Sequence, residues 1–186
     1  MLQTAGARRR VLMSSDEIER AIARMAHQIL EPDDAQQGVL VLGIRRGGEA
    51  LARRLAARIA EIRGAAPELG FLNINLYRDD DVAHELPESE IRSAITGQTV
   101  VLVDDVLYTG RTVRAALDAV TDLGRPSAIR LAVLVDRGLR ELPIQPDYVG
   151  KAIPTSRREH IDVVLAPQRS EGDAVTVSAD EDRAAT

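Results

Sequence analysis

The chain has no cysteine and no tryptophan, and one phenylalanine and three tyrosines are its only aromatic residues. Without thiols there is neither a disulfide framework nor a thiolate metal site. With so few aromatics, a core must be packed from Ala, Val, Leu and Ile. No apolar run approaches membrane-spanning length, so no membrane association is expected. Arg8 to Arg10 precede only a short apolar stretch, which makes a poor signal peptide. A cytoplasmic protein is the expectation. Positive charge is also in deficit, with 24 Lys and Arg against 29 Asp and Glu and a net charge of -5. That balance argues against indiscriminate nucleic-acid binding but leaves room for a local basic patch. No internal repeat is present, and 186 residues suit one domain with a real core.

What is there is organised around residues 99–123, TVVLVDDVLYTGRTVRAALDAVTDL. Val100 to Val103 is a continuous apolar run, the mark of a short strand buried on both faces. Asp104 and Asp105 stand where that strand should end, and a turn follows over Tyr108 to Thr112. A helical period then places Val113, Ala116, Leu117 and Val120 on one face, until Gly124 and Pro126 end it. A helix start leaves backbone N–H groups unpaired and carries partial positive charge, so it favours a phosphate. Thr109 and Thr112 add hydroxyls, and Gly110 allows close backbone approach. Two adjacent carboxylates would repel that phosphate. They suit sugar hydroxyls or a hydrated divalent cation. The parts together describe a phosphorylated sugar, and the absence of Gly-Lys-Ser/Thr excludes a P-loop. The plainer alternative is a turn with two solvated aspartates.

In chain order, residues 1–10 carry no hydrophobic period and are expected to be loose. Ser14 and Glu17 stand at capping-box spacing before a helix. Ile18, Ile22, Met25 and Ile29 form its buried stripe, and Arg20, Arg24 and His27 fall on the opposite face. Pro32 ends it. Val39 to Ile44 is a second buried strand, followed by Arg45-Arg46-Gly47-Gly48. The next helix has Leu51, Leu55, Ile59 and Ile62 inward and Arg53, Arg54 and Arg58 outward. The glycine-bearing turn before it can gather N–H groups around an anion, or be only a tight turn. Phe71 to Tyr77 alternates and reads as a half-exposed strand closed by Arg78. The polar stretch from there to Gln98 reads as disorder or a functional lid. Ile129 to Val135 is another strand, ending in Asp136-Arg137-Gly138. Polar clusters after Ile44, Val103 and Val135 should therefore meet in one crevice at the strands' carboxyl ends. Tyr148-Val149 and Ile161 to Leu165 read as strands with a loop at 151–156, and residues 166–186 as a loose terminus. The fold class read here is α/β, with an open, mainly parallel sheet, helices on both faces and a single domain over 11–165.

The motif Val101-Leu102-Val103-Asp104-Asp105-Val106-Leu107-Tyr108-Thr109-Gly110-Arg111-Thr112-Val113 resembles the site at which type I phosphoribosyltransferases bind phosphoribosyl pyrophosphate (PRPP). Leu76 to Asp80, Leu131 to Gly138, Arg140 to Pro143 and Tyr148 to Ser156 make the resemblance narrower, to the PyrR family of pyrimidine-operon regulators with uracil phosphoribosyltransferase activity. The resemblance implies the type I phosphoribosyltransferase fold, with a flexible loop over 79–97 and a small hood. It implies that uracil and PRPP give UMP and pyrophosphate, with Mg2+ bound through PRPP and no metal held directly by the protein. Asp104, Asp105 and Arg78 would be catalytic, and Arg45, Arg46 and Gly47 would form the pyrophosphate loop. Many relatives have Thr-Arg-Gly where this chain has Arg46-Gly47-Gly48, so the usual arginine falls on Gly47. Val135, Asp136 and Arg137 would wall the base. Arg20, Arg24, His27, Arg137, Arg140, Lys151 and Thr155 would bind the mRNA leader of a pyrimidine operon, under control of UMP or UTP. Ala23, Pro32 and Leu139 depart from RNA-binding relatives, which have Thr, Arg and His there. A homo-oligomer is implied too. The alternatives are a regulator with little catalysis and a transferase for another base.

Overall fold

Val39 and Val41 point to one face of their strand, and Leu40, Leu42 and Ile44 to the other; all five are buried. That is why the run is continuously apolar: both faces of its sheet are covered. The computed structural model describes residues 9–31, 38–78 and 87–179. The elements in order are β1 (Arg10–Met13), α1 (Ser15–Leu30), β2 (Val39–Ile44), α2 (Gly48–Arg63), β3 (Glu68–Leu72), β4 (Thr99–Leu107), α3 (Arg111–Leu123), β5 (Ala128–Asp136), β6 (Tyr148–Ala152), β7 (Glu159–Val164) and β8 (Ala174–Ala179). Strands β3-β2-β4-β5-β6 make a parallel sheet in that order. Helices α1 and α2 cover one face with Val101, Val103 and Leu134, and α3 covers the other with Val100, Leu102 and Val133. From β2 the chain steps outward to β3, then returns to β4 and proceeds the opposite way. The strand order therefore reverses between β2 and β4, and in open α/β sheets that is where ligands bind.

The stripe on α1 is as expected. Ile18, Ile22, Met25 and Ile29 are each 1% exposed or less, and each contributes roughly 1.5–3 kcal/mol by burial. Ser14 accepts from the Glu17 N–H and Glu17 accepts from the Ser14 N–H, which completes the capping box. Among the described residues no helix is long and apolar enough to cross a membrane.

Several expectations need correction. β4 does not stop at Val103: after β2 ends, it stays paired with β5 as far as Leu107–Asp136, so both aspartates lie within the strand. On α2 the inward stripe stops at Ile59; Ile62 is exposed near the helix end, while Arg54 is buried. The strand expected over Phe71 to Tyr77 is β3 ending at Leu72, followed by a 3-10 turn over Asn75–Tyr77. Lys151 lies in β6, not in a loop. Residues 166–179 are not a loose tail and Arg10 is not in a loose head; residues 1–8 and 180–186 lie outside the described residues. β8 pairs antiparallel with both β1 and β7 to make a second sheet, the hood. Val175 and Val177 bury their side chains there. The polar residues between β7 and β8 had hidden a short apolar strand. Of the expected lid, residues 79–86 lie outside the described residues. Residues 87–97 run along the sheet edge, where Phe71 and Glu90 exchange backbone hydrogen bonds and Ile95 is buried.

Candidate active site

The crevice forms where β2 has ended and β4 has not. The turn after β2 doubles back beside the two carboxylates, and glycine is what permits this. A methyl group on Gly47 would collide with Asp105 and come within 2.9 Å of Asp104 Oδ1, and one on Gly48 would strike the Val103 carbonyl. Arg46, beside them, has φ +85°, a left-handed conformation that a side chain rarely takes and that costs roughly 1–2 kcal/mol.

Three helix starts can be compared. α1 is capped by its own side chains, whereas α2 and α3 begin at Gly47 and Gly110 with no side-chain cap. Both uncapped starts follow the two strands that flank the reversal. Their N–H groups and dipoles are suited to two separate anionic groups. The turn before α3 is braced from behind: the Thr109 carbonyl accepts from the Glu141 and Leu142 N–H groups, and Arg140 Nη1 donates to the Tyr108 carbonyl at 3.0 Å. Gly110, at φ +93°, packs against Ile144. Arg111 points outward and pairs with Glu141 at 3.0 Å. Within the thirteen-residue PRPP motif, Val101, Leu102, Val103, Leu107 and Val113 are core residues that carry the strand and helix. The groups available to a ligand are Asp104, Asp105 and the Thr109–Thr112 turn.

Asp104 is buried and Asp105 half-buried beside it. Burial pushes the Asp104 carboxyl well above the usual carboxylate range, and the neighbouring Asp105 charge adds to the rise. The Asp105 N–H donates to Asp104 Oδ1 at 3.0 Å, and the charge of Arg78 partly opposes the rise. Burial raises Asp105 as well, offset by the Val106 N–H at 2.7 Å. A pair of carboxylates this poorly compensated is suited to hydroxyl donors or a nearby cation. Among the described residues no group of three His, Cys, Asp or Glu side chains could hold a metal by itself.

The two arginines of the turn differ in availability. Arg45 is already used, donating to Glu49 Oε1 at 2.8 Å and to the Glu88 carbonyl at 3.1 Å. Arg46 is exposed. Arg46→Ala is therefore expected to raise the KM for PRPP about tenfold or more with an unchanged or higher Tm, while Arg45→Ala lowers Tm instead. Steady-state kinetics beside thermal melts check this; the reverse pattern would assign the pyrophosphate interaction to Arg45.

Val135 is core, and Asp136 pairs with Arg140 at 2.7 Å. Arg137 is buried. It donates to Thr155 Oγ1, Ser156 O and Glu159 O, and its guanidinium stacks 4.2 Å from the Tyr108 ring. Arg137, Arg140 and Thr155, expected to bind RNA, thus join the sheet, the Thr109–Thr112 turn and the hood through interior partners. Arg24 bonds to the Val149 and Gly150 carbonyls, and Lys151 to the Leu12 carbonyl. Arg20 and His27 stay exposed on α1. Sequence reasoning also missed Arg54 and Asp173, a buried ion pair joined by the half-buried Glu19, which links α2, α1 and the start of β8.

The phosphoribosyl transferase domain profile matches residues 12–168. The chain belongs to that family. It is 52% identical over 158 residues to the bifunctional protein PyrR of Pelotomaculum thermopropionicum, covering 83% of this chain and 87% of that one. To the protein of the same name in Chloroflexus aurantiacus it is 53% identical over 158 residues, with 83% and 87% covered. These identities place it among the PyrR proteins, the narrower family that the sequence motifs resemble. Among solved structures it resembles the hypoxanthine phosphoribosyltransferase of Trypanosoma cruzi in complex with the product IMP, with a TM-score of 0.64, 21% identity and coverage of 83% and 81%. At that identity the likeness concerns the fold, and it agrees with the parallel sheet.

Proposed function

We propose that this PyrR-family chain is a uracil phosphoribosyltransferase that forms UMP and pyrophosphate from uracil and PRPP. One observation carries the reading: two uncapped helix starts flank a largely buried, undercompensated carboxylate pair at the reversal of the sheet. A ligand with two separated anionic groups and a hydroxyl-bearing sugar between them answers every part. The N–H groups and hydroxyls of Thr109 to Thr112 hold the 5′-phosphate. Asp104 and Asp105 accept from the ribose 2′- and 3′-hydroxyls. The turn at Arg46 and Gly47, with Arg78, faces the pyrophosphate. Asp104 and Asp105 would face a Mg2+ ion brought by PRPP, which would supply neutralising charge to the leaving pyrophosphate. As pyrophosphate departs, positive charge develops on the ribose ring, and the two carboxylates are placed to stabilise it. Uracil N1 bonds to C1′ as the C1′–O bond to pyrophosphate breaks, and the N1 proton passes to the released pyrophosphate or to water; no protein nucleophile is needed. The segment after Val135 walls the base.

The test offers the purified chain Mg2+, PRPP and, separately, uracil, hypoxanthine, guanine and orotate. UMP formation well above the other nucleotides is expected. A purine nucleotide as the main product would move the chain to another base, and no product with any base would remove the enzyme reading.

A second activity is favoured by the α1 surface. Arg20 and His27 are exposed, with Arg24 and Lys151 at its border. We propose that this face binds the phosphates of a pyrimidine-operon leader RNA. A salt titration of hairpin binding checks it. Removing one phosphate partner, as in Arg20→Ala, should flatten the slope by about one unit.

A further inference from the structure

Arg78 sits at the end of the 3-10 turn that follows β3, and that turn is tied to α3 by side chains outside the PRPP motif. Arg114 Nη2 donates to the Tyr77 carbonyl at 2.9 Å, while its Nη1 holds Asp118 at 2.8 Å. The Tyr77 hydroxyl donates to Asp122 Oδ2 at 2.9 Å. The Tyr77 N–H closes the turn onto the Ile74 carbonyl, again at 2.9 Å. One turn of backbone is thus gripped at its carbonyl and at its side chain by residues on α3, the helix whose start faces the phosphate. The residue immediately after the grip is Arg78. Leu76, just before Tyr77, is 95% exposed and contributes no packing that could fix the segment. Ile74 is buried and the Tyr77 ring packs against the α3 side of the core, which seats the turn, while the polar grip fixes the carbonyl that leads into Arg78.

We propose that Tyr77, Arg114 and Asp122 are positioning residues that hold Arg78 at the carboxylate pair, so that the helix binding the 5′-phosphate also sets the charge facing the pyrophosphate. The inference rests on the transferase reading; a wild-type chain that made no UMP would end that reading before any variant was compared. The grip acts through direction. A carbonyl held by a guanidinium fixes the peptide plane between Tyr77 and Arg78. The hydroxyl on Asp122 tethers the Tyr77 side chain to α3, and with it the Cα from which that plane extends. A charge displaced by an ångström or so from a developing transition state loses much of its effect.

The test compares Tyr77→Phe, Arg114→Gln, Asp122→Ala and Asp122→Asn with wild type, and each of the first three again in an Arg78→Gln background. Tyr77→Phe, Arg114→Gln and Asp122→Ala are expected to lower kcat about tenfold, with Tm changed by only a few degrees. Asp122→Asn keeps an acceptor for the Tyr77 hydroxyl and is expected to retain near-normal kcat. In the Arg78→Gln background the same substitutions should cost almost nothing further, because the residue they position has gone. The proposal is overturned if kcat is unchanged in the three variants. It is equally overturned if the losses are fully additive with Arg78→Gln, or if Asp122→Asn is as damaging as Asp122→Ala.

Discussion

Asp104→Asn or Asp105→Asn is expected to reduce UMP formation by two to three powers of ten and, at the same time, to make the unliganded protein more stable. The first effect is the removal of one transition-state electrostatic interaction, about 3–4 kcal/mol. The second follows from burial. In the unfolded chain both carboxyls ionise near the ordinary value of about 3.9. In the folded protein burial raises them, Asp104 furthest, with the Asp105 charge adding to its rise. A raised carboxyl contributes stability that is complete below the unfolded value and lost as pH climbs through the folded one. At neutral pH the wild type therefore carries a cost that an asparagine does not. The Tm advantage of the variant should be smallest near about pH 4 and widen toward neutrality. Melting curves across that range, alongside a PRPP and uracil assay, separate the two effects. A double asparagine variant with near-normal turnover would show the assigned roles to be wrong.

Arg54→Leu or Asp173→Ala is expected to destabilise the fold by about 3–5 kcal/mol, because either change leaves a buried charge without its partner. The Arg54 side chain is 5% exposed and that of Asp173 1%, and Nη1 meets Oδ2 at 2.5 Å. Nη2 of the same guanidinium holds Glu19. Asp173 also accepts from the Ala166 and Ser170 N–H groups, which would be orphaned. Burial alone would raise the Asp173 carboxyl, but those N–H groups and Arg54 together hold it below the ordinary range. Its contribution is therefore present above the unfolded value and lost as pH falls through the folded one. Urea unfolding measures the destabilisation, which should shrink in acid. The double change to Arg54→Met and Asp173→Leu should recover most of the stability, since no buried charge is then stranded. A single-variant effect under about 1 kcal/mol would mean that the cluster is a solvated surface pair.

The elements written in the sequence are those whose cause is local. The Ser14–Glu17 box, the stripe on α1 and the buried faces of β2, β4 and β5 follow from residue spacing over one or two turns. So does the strand-to-helix turn at Gly110, and with it the carboxylate pair and the candidate phosphate site. The motif resemblance supplied the family, which the relatives then showed. Less local features went astray. The end of β4 was misplaced because its last residues are held by β5, about thirty positions downstream, and no local signal records that. β8 was read as tail because its Val-Thr-Val core is short and lies among polar residues, and only pairing with β1 and β7 makes it a strand.

Which side chains meet at the carboxylate pair and the Thr109–Thr112 turn is legible along the chain, since strand, aspartates and helix start are contiguous over Val101 to Val113. How the basic residues are used is decided only in three dimensions. Arg137 and Arg140 look in sequence like exposed cations, yet they face inward because ring and carbonyl partners wait for them at Tyr108, Thr155 and Ile144. Arg54 looks like one more outward residue of α2 and is instead buried against Asp173, 119 positions away. A guanidinium can end in water, on a carboxylate or against a ring at similar cost, so its own neighbours in the chain do not choose among them. The folded arrangement of distant groups does.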